Sequence, residues 1–328
     1  MREFRYESYS RRFDRPLRTA RGEWAVREGY LLRIREGDRV GYGEVAPLPE
    51  FGTETLAEAE AYLAALPAGG EWELPEHLRC CAFGMSAALA GLKGAMALPD
   101  RNFEVAGLLP AGEGAESVLE EKRSGGYDVF KWKVGVEAAA REMAVFERLT
   151  DRLPKGGRLR LDANGAWSLE LLGEWLEFLK GRVDVVEFVE QPLAPGLEAE
   201  MMAARAESGI EIALDESLNG AGAARWLGEW PGVLVVKAPL MGDMARLQAQ
   251  LEPVAERAVL SSVFETGIGF LNTLVLAGAL PKLNFALGFD TLQFSDALGG
   301  RKEGAVIAAS DLVALNPEEI WNANRHLS

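Results

Sequence analysis

The chain has almost no cysteine or histidine: two of each in 328 residues. Cys80 and Cys81 are neighbours, with no third cysteine to pair with. They read as small apolar residues of a buried helix, and no disulfide framework follows. That suits a reducing compartment, and we expect a cytoplasmic protein. No run of 18 apolar residues occurs, and the N-terminal MREFRYESYSRRF lacks an apolar core. Neither a membrane span nor a signal peptide is therefore expected. An excess of base is missing as well. Against 50 Asp and Glu stand 35 Lys and Arg, a net charge of −15. Nucleic acid and anionic membrane both need a basic surface, so neither is an expected partner. No glycine-rich phosphate loop follows any strand-like run, which argues against a doubly wound nucleotide-binding sheet.

What is present is a rhythm. Residues 2–10 alternate, and GYLLRIREGDRVGYGEVA (29–46) reads as two strands joined at Glu36-Gly37-Asp38. Helical stretches follow at 54–66 and 76–94, giving an α+β module over residues 1–98. From there short β-branched or aromatic runs alternate with amphipathic helical stretches. The runs are NFEVAGLL (102–109), YDVFKWKV (127–134), GRLRLDA (157–163), VDVVEFVE (183–190), IEIALDE (210–216), GVLVVKA (232–238), AVLSSVFE (258–265) and NFALGFD (284–290). Such alternation predicts parallel strands with right-handed crossovers, here a modified (β/α)8, TIM-like barrel over residues 99–300. The stretch 301–328 carries one more strand-like run, GAVIAAS, and is expected to pack back on the first module.

The polar residues fall in one place along each unit. Lys131 and Lys133 end the second run, Asp162 the third, Glu190 the fourth, Asp215 the fifth and Lys237 the sixth. Ser261 and Ser262 lie in the seventh, and Gly288 to Asp290 in the eighth. Barrel enzymes build their sites from these strand ends. Three carboxylates on adjacent strands must protonate or share a cation, and three oxygen donors with open positions suit Mg2+. Zinc is disfavoured, because His77 and His326 lie outside the barrel. Arg160 and Asn164 share the parity of Asp162 and are candidates for supporting it from behind. Lys131 and Lys133 share a face, and each charge is expected to lower the other's pKa. A lysine tuned downwards is a usable general base. Metal plus lysine suggests proton abstraction beside a carboxylate, with cations holding the resulting enediolate.

At this point the motifs resemble those of the enolase superfamily. FKWKVG is similar to its K-x-K strand, while RLRLDANGAW, VEFVEQPL, ALDESL and VVKAPL are similar to its successive strand ends. APLPEFGTETL (46–56) resembles a segment of its capping domain. SSVFETGIG and GFDTLQF narrow the resemblance to the o-succinylbenzoate synthases of menaquinone biosynthesis. The resemblance implies Asp162, Glu190 and Asp215 as ligands of Mg2+, with Mn2+ as a substitute. It implies Lys133 as the base that takes the α-proton of 2-succinyl-6-hydroxy-2,4-cyclohexadiene-1-carboxylate. The same lysine would then assist hydroxide loss in a syn dehydration. It implies that Lys131 keeps Lys133 poised and that Lys237 stabilises the enediolate from the other ring face. RPLRTARGEW (15–24) resembles the mobile capping loop of such enzymes. Its arginines Arg18 and Arg21, beside Thr19 and Gly22, are candidates for the succinyl carboxylate, with Ser262 and Gly288 as further substrate contacts. The alternative from the same superfamily is a dipeptide epimerase or N-succinylamino acid racemase using Lys133 and Lys237 as opposed bases. Against the epimerase, the eighth strand end reads Gly288-Phe289-Asp290-Thr291, with one acid where that group resembles Asp-x-Asp. A barrel that only binds a ligand is the other alternative. The partner expected is a small carboxylate, acted on by a monomer or small homo-oligomer.

Overall fold

The computed structural model describes residues 2–19, 22–219, 222–291, 294, 296–299 and 304–327. The N-terminal alternation builds a three-stranded antiparallel sheet of β1 (Arg2–Thr19), β2 (Gly22–Glu36) and β3 (Arg39–Val45). Gly37 turns β2 into β3 at φ 62°, where a side chain would be strained. The hairpin runs further than the alternation over 2–10 predicts. β1 and β2 continue through RPLRTARGEW to Thr19 and from Gly22, with an irregular register between Arg12 and Leu17. Pro16 falls in that irregularity, where a missing N–H breaks no ladder bond. Two helices follow, α1 (Leu56–Ala65) and α2 (Arg79–Leu92). Thr55 and Glu58 start α1 with reciprocal side-chain-to-backbone bonds. α2 lies on β3 at backbone distance: a Cβ on Gly41 would sit 1.9 Å from the Ala88 carbonyl, and one on Gly43 2.0 Å from that of Gly84. GYGEV is glycine-rich because a helix rests there.

The barrel follows. The first expected run, NFEVAGLL, divides in two. Its start forms β4 (Phe103–Glu104), outside the barrel, and its end forms β5 (Gly107–Leu109), the first stave. Then come α3 (Gly114–Ser124), β6 (Val129–Lys133), α4 (Ala139–Thr150), β7 (Arg158–Asp162), α5 (Leu169–Leu179), β8 (Val186–Glu190), α6 (Glu198–Ser208) and β9 (Ile212–Leu214). The series ends with α7 (Ala223–Glu229), β10 (Val233–Val236), α8 (Met244–Leu251), β11 (Ala258–Leu260) and α9 (Gly267–Gly278). Strands β5 to β11 are parallel and adjacent in chain order. The eighth stave is reduced to Leu287 and Gly288, whose bridges to Val105 and Ser261 close the ring. Seven crossover helices join these eight staves among the described residues.

Parity decides which side chains enter. Phe130, Trp132 and Val134 pack outward with Val145, Phe146 and Leu149 of α4. Lys131 and Lys133 therefore face the interior, as do Arg160 and Asp162 on β7. The interior is filled lower down by Phe188, Ala213, Val233, Val235 and Val259, with Phe285 against them.

After the eighth stave β12 (Val306–Ile307) pairs antiparallel with β4, so GAVIAAS does form a strand. α10 (Ala309–Ala314) and α11 (Pro317–Leu327) finish the chain. Ile320 and Trp321 of α11 pack with Tyr9, Leu31 and Ile268, and Asn324 donates from Nδ2 to the Ser8 carbonyl at 3.0 Å.

Three buried charges of the N-terminal sheet hold it to the barrel loop after β11. Arg27 donates to the carbonyls of Val263 at 3.1 Å and Ala46 at 2.5 Å. Arg11 donates to the Glu265 carbonyl at 3.0 Å and pairs with Asp296 at 2.7 Å. Glu44 accepts from the Tyr9 hydroxyl at 2.6 Å, from the Thr266 N–H at 2.9 Å and hydroxyl, and from the Gly269 N–H at 3.0 Å. Its carboxylate thus caps the N-terminus of α9, where a negative charge is favoured. Replacing Glu44 by alanine would leave these donors buried and unpaired, at about 1–3 kcal/mol for each group. We expect Glu44→Ala to lower unfolding free energy by roughly 3 kcal/mol or more, read from the urea midpoint at unchanged slope. A loss below about 1 kcal/mol would show that the clamp contributes little.

Candidate active site

Register aligns the strand ends into layers. Lys133 pairs with Asp162, and Asp162 with Glu190, so these three stand level around the mouth. Lys131 pairs with Arg160 one layer lower. Asp215 directly follows β9 and Lys237 directly follows β10, each preceding a short 3-10 turn. Asp162, Glu190 and Asp215 are all buried, Glu190 almost completely.

The six ionisable groups do come together, but not symmetrically. Lys131 Nζ lies 2.7 Å from Asp162 Oδ2 and 2.6 Å from Glu190 Oε1. Lys237 forms a close ion pair with Asp215. Lys133, half-buried, has no ion-pair partner among the described residues. Burial and the charges of Asp162 and Asp215 raise Glu190 to about 8, against the pull of Lys131. Burial alone would lower Lys131, yet Asp162, Glu190 and Asp215 together drive it well above the ordinary lysine range. This corrects the expectation that the neighbouring lysine lowers it. Three close carboxylates outweigh one cation on the same face.

Among the described residues, no group of three His, Cys, Asp or Glu side chains encloses a metal-sized site. Two of the acids close instead on Lys131 and the third on Lys237. The donor set is still that of a hard divalent ion. Three buried carboxylates occupy adjacent strand ends, and burial together with the Asp162 and Asp215 charges raises the middle one, Glu190. A cation is what such a set requires, and oxygen donors suit Mg2+.

Other expected residues separate into groups. Asn164 donates its backbone N–H to Asp162 Oδ1 and its side-chain Nδ2 to Glu216 Oε1, both at 3.2 Å. Arg160 lies deeper in the barrel. It pairs with Glu187 and stacks over Phe188 and Phe285, with centroid distances of 4.9 and 5.8 Å. No hydrogen bond or ion pair joins it to the acids among the described residues. Ser262 Oγ donates to Glu265 Oε2 at 2.8 Å and accepts from the Phe264 N–H at 3.0 Å. Gly288 donates its N–H to the Leu260 carbonyl at 2.9 Å and accepts from the Ser262 N–H at 3.0 Å, and a Cβ there would meet Ser261 Oγ at 2.7 Å. The candidate loop arginines are another matter: Arg21, and the side chains of Arg18, Thr19 and Gly22, lie outside the described residues.

Three residues join the site that the strand-end pattern did not single out. Phe51, in the capping segment APLPEF, stands 5.3 Å from Lys237 Nζ and roofs the mouth with Trp24 and Phe264. Glu216, next to Asp215, is raised to about 7 by burial and the Asp215 charge. Gln191, directly after Glu190, is completely buried. The only sequence signal for the last two was adjacency to an acid already chosen.

Comparison with known proteins agrees with this architecture. Residues 113–298 match the family described as "Enolase C-terminal domain-like", and residues 1–92 match "MenC, N-terminal domain". An o-succinylbenzoate synthase from Thermosynechococcus vestitus is 36% identical over 81% of this chain and 85% of its own. Another, from Enterobacter sp., is 33% identical over 93% of both. The crystal structure of o-succinylbenzoate synthase from Thermosynechococcus elongatus BP-1, with magnesium in its active site, superimposes with a TM-score of 0.82. That structure is 33% identical and covers 90% of this chain and 95% of its own. The L-Ala-D/L-Glu epimerase of Bacillus subtilis, at 18% identity and a TM-score of 0.79 over 93% of this chain and 95% of its own, shares the fold. By sequence, by both domains and by structure, the chain belongs to the o-succinylbenzoate synthase family of the enolase superfamily.

Proposed function

We propose that this protein dehydrates 2-succinyl-6-hydroxy-2,4-cyclohexadiene-1-carboxylate to o-succinylbenzoate and water. One observation carries the reading: a row of three buried carboxylates flanked by lysines, of which, among the described residues, Lys133 alone makes no ion pair. Asp162, Glu190 and Asp215 would hold Mg2+, with Mn2+ as a substitute. When bound, the ion supplies positive charge beside the substrate carboxylate and the negative charge that develops there.

The chain's own groups do the rest. Lys133 Nζ takes the α-proton from the ring carbon that bears the carboxylate. The electron pair left behind makes an enediolate. Lys133, now protonated, returns that proton to the departing hydroxide on the same ring face, so water leaves and the ring becomes aromatic. Lys131, fixed on Asp162 and Glu190, keeps a positive charge beside the base. Lys237 sits on another stave and stabilises the enediolate as a cation over the ring. The functional division follows the chain: residues 1–98 roof the mouth, 99–300 carry the reacting groups and 301–328 brace the roof. The dipeptide epimerase reading expects an Asp-x-Asp pair at the eighth strand end, where this chain has Asp290 alone. Asp290 is engaged by Lys122 at 2.5 Å, the Leu108 N–H at 2.7 Å and Tyr127 at 3.2 Å.

The deciding assay follows absorbance of the aromatic product from the cyclohexadiene substrate, with dipeptides and N-succinylamino acids run in parallel. Turnover of the panel without dehydration would overturn the proposal. Lys133→Ala should cut kcat at least about 100-fold, the lower end of what a general base contributes. Its urea midpoint and divalent-ion affinity should stay close to wild type, and substantial residual turnover would remove Lys133 from the base role. Glu190→Gln should shift the Mg2+ activation curve to much higher concentration, while activity indifferent to EDTA in the wild type would refute the metal reading.

A further inference from the structure

Three described non-glycine residues hold a left-handed backbone: Asn164 at φ 47°, Gln191 at 37° and Phe264 at 63°. Each lies one or two residues past a strand-end group of the site, respectively Asp162, Glu190 and Ser262. Asparagine tolerates that conformation, because its short side chain bonds locally. Glutamine has no such excuse. A strained, fully buried residue persists only where its surroundings over-determine it, and such outliers cluster at functional sites.

The surroundings of Gln191 can be accounted for atom by atom. Its backbone N–H donates to the Ala213 carbonyl at 2.8 Å, on β9. Its backbone carbonyl accepts from the Gly165 N–H at 2.6 Å, in the turn after β7. Its side-chain Oε1 accepts from the Asp215 N–H at 3.0 Å and the Ser217 N–H at 3.1 Å. Its Nε2 donates to Ser217 Oγ at 2.8 Å and the Leu193 carbonyl at 2.9 Å. Every donor and acceptor lone-pair direction of the carboxamide is used. The bonds reach the ends of β7, β8 and β9, the three strands whose ends carry Asp162, Glu190 and Asp215.

We propose that Gln191 is the positioning residue of the divalent-ion site: it fastens the three acid-bearing strand ends to one another and so sets ion affinity. This rests on the reading that those acids hold the ion. The physical need is plain. Three buried carboxylates push their strand ends apart, and an ion binds tightly only if they are already held together before it arrives. A neutral carboxamide does this without adding charge. It supplies two acceptor bonds to N–H groups at Asp215 and Ser217 that no helix satisfies, and two donor bonds to oxygens. A carboxylate at the same position could accept but not donate, and would add a fourth negative charge to the cluster.

The experiment measures ion binding directly. Mn2+ is titrated into purified full-length protein, and the free ion is read by electron paramagnetic resonance. The variants are Gln191→Met, which keeps the volume and removes the bonds, Ser217→Ala, which removes one bond, and Asp215→Asn as a control. Gln191→Met should weaken Mn2+ affinity about 10- to 100-fold, as loss of groups supporting metal ligands typically does. Its kcat should recover towards wild type at saturating ion. Ser217→Ala should weaken affinity in the same direction by less. A purely structural role would lower the urea midpoint and leave ion affinity unmoved. Wild-type affinity in folded Gln191→Met overturns the proposal. If that variant does not fold, wild-type affinity in Ser217→Ala overturns it instead. If Asp215→Asn loses the ion while Gln191→Met keeps it, only this proposal falls. If Asp215→Asn also binds as wild type, the assignment of the acids falls with it.

Discussion

Two carboxylates on neighbouring strands, about 5 Å apart, repel by roughly 3 kcal/mol at an effective dielectric near 20. This chain places three of them side by side and buries all three. The cost is comparable to much of the net stability of a folded domain, about 5–15 kcal/mol. Nearly everything around the mouth answers that repulsion. Lys131 bridges two of the acids with one positive charge, and Lys237 pairs with the third. Glu190 sits in the middle with an acid on each side, and its burial first, then the charges of Asp162 and Asp215, push it up to about 8. The site is therefore built to gain from a further positive charge.

The roof over this mouth comes from a different part of the chain, and it is held by buried charge rather than by apolar area alone. Arg11, Arg27 and Glu44 of the N-terminal sheet all reach the segment from Val263 to Gly269. That segment carries Phe264, whose left-handed backbone is fixed by the two arginines on the carbonyls flanking it. Its ring meets Phe13 and Trp24 of the sheet, and Trp24 meets Phe51 above Lys237. The result is a charged floor below an aromatic ceiling. A planar ring bearing a carboxylate matches both surfaces at once.

Much of this was legible in the residues, because strand parity fixes direction. Bulky Phe130, Trp132 and Val134 had to face the helices, so Lys131 and Lys133 had to face inward. The strand ends and the extra strand in GAVIAAS followed from the same kind of pattern, whereas the capping segment was legible only through its family resemblance. Depth was not legible. Arg160 has the parity of Asp162 yet lies a layer lower, where Glu187 and two aromatic rings receive it. Nor was the division of NFEVAGLL between two sheets, since Val105 and Ala106 look no different from their neighbours. The length of the first hairpin was hidden by Pro16, which reads as a break but falls in a register irregularity. Backbone strain at Gln191 and Phe264 has no compositional signature, because both positions demand what their residue types dislike.

The two lysines of FKWKVG are the point where these levels meet. They share a face but not a height, because two residues along a strand is a rise of about 6.6 Å. Lys131 sits level with Arg160, below the acids, and reaches up into the gap between Asp162 and Glu190. Lys133 sits level with Asp162, at the rim, where register brings it beside the acids with no ion pair to hold it among the described residues. Identical side chains thus receive different tasks from one turn of the pleat. The lower lysine is a permanent counter-ion, pushed far towards its charged form. The upper one is half-buried on the same face. Reversing the two heights would bind the amine proposed as the base to the acids and leave the counter-ion at the rim, so the spacing of one intervening residue, here Trp132, is what sets the paired lysine apart from the unpaired one.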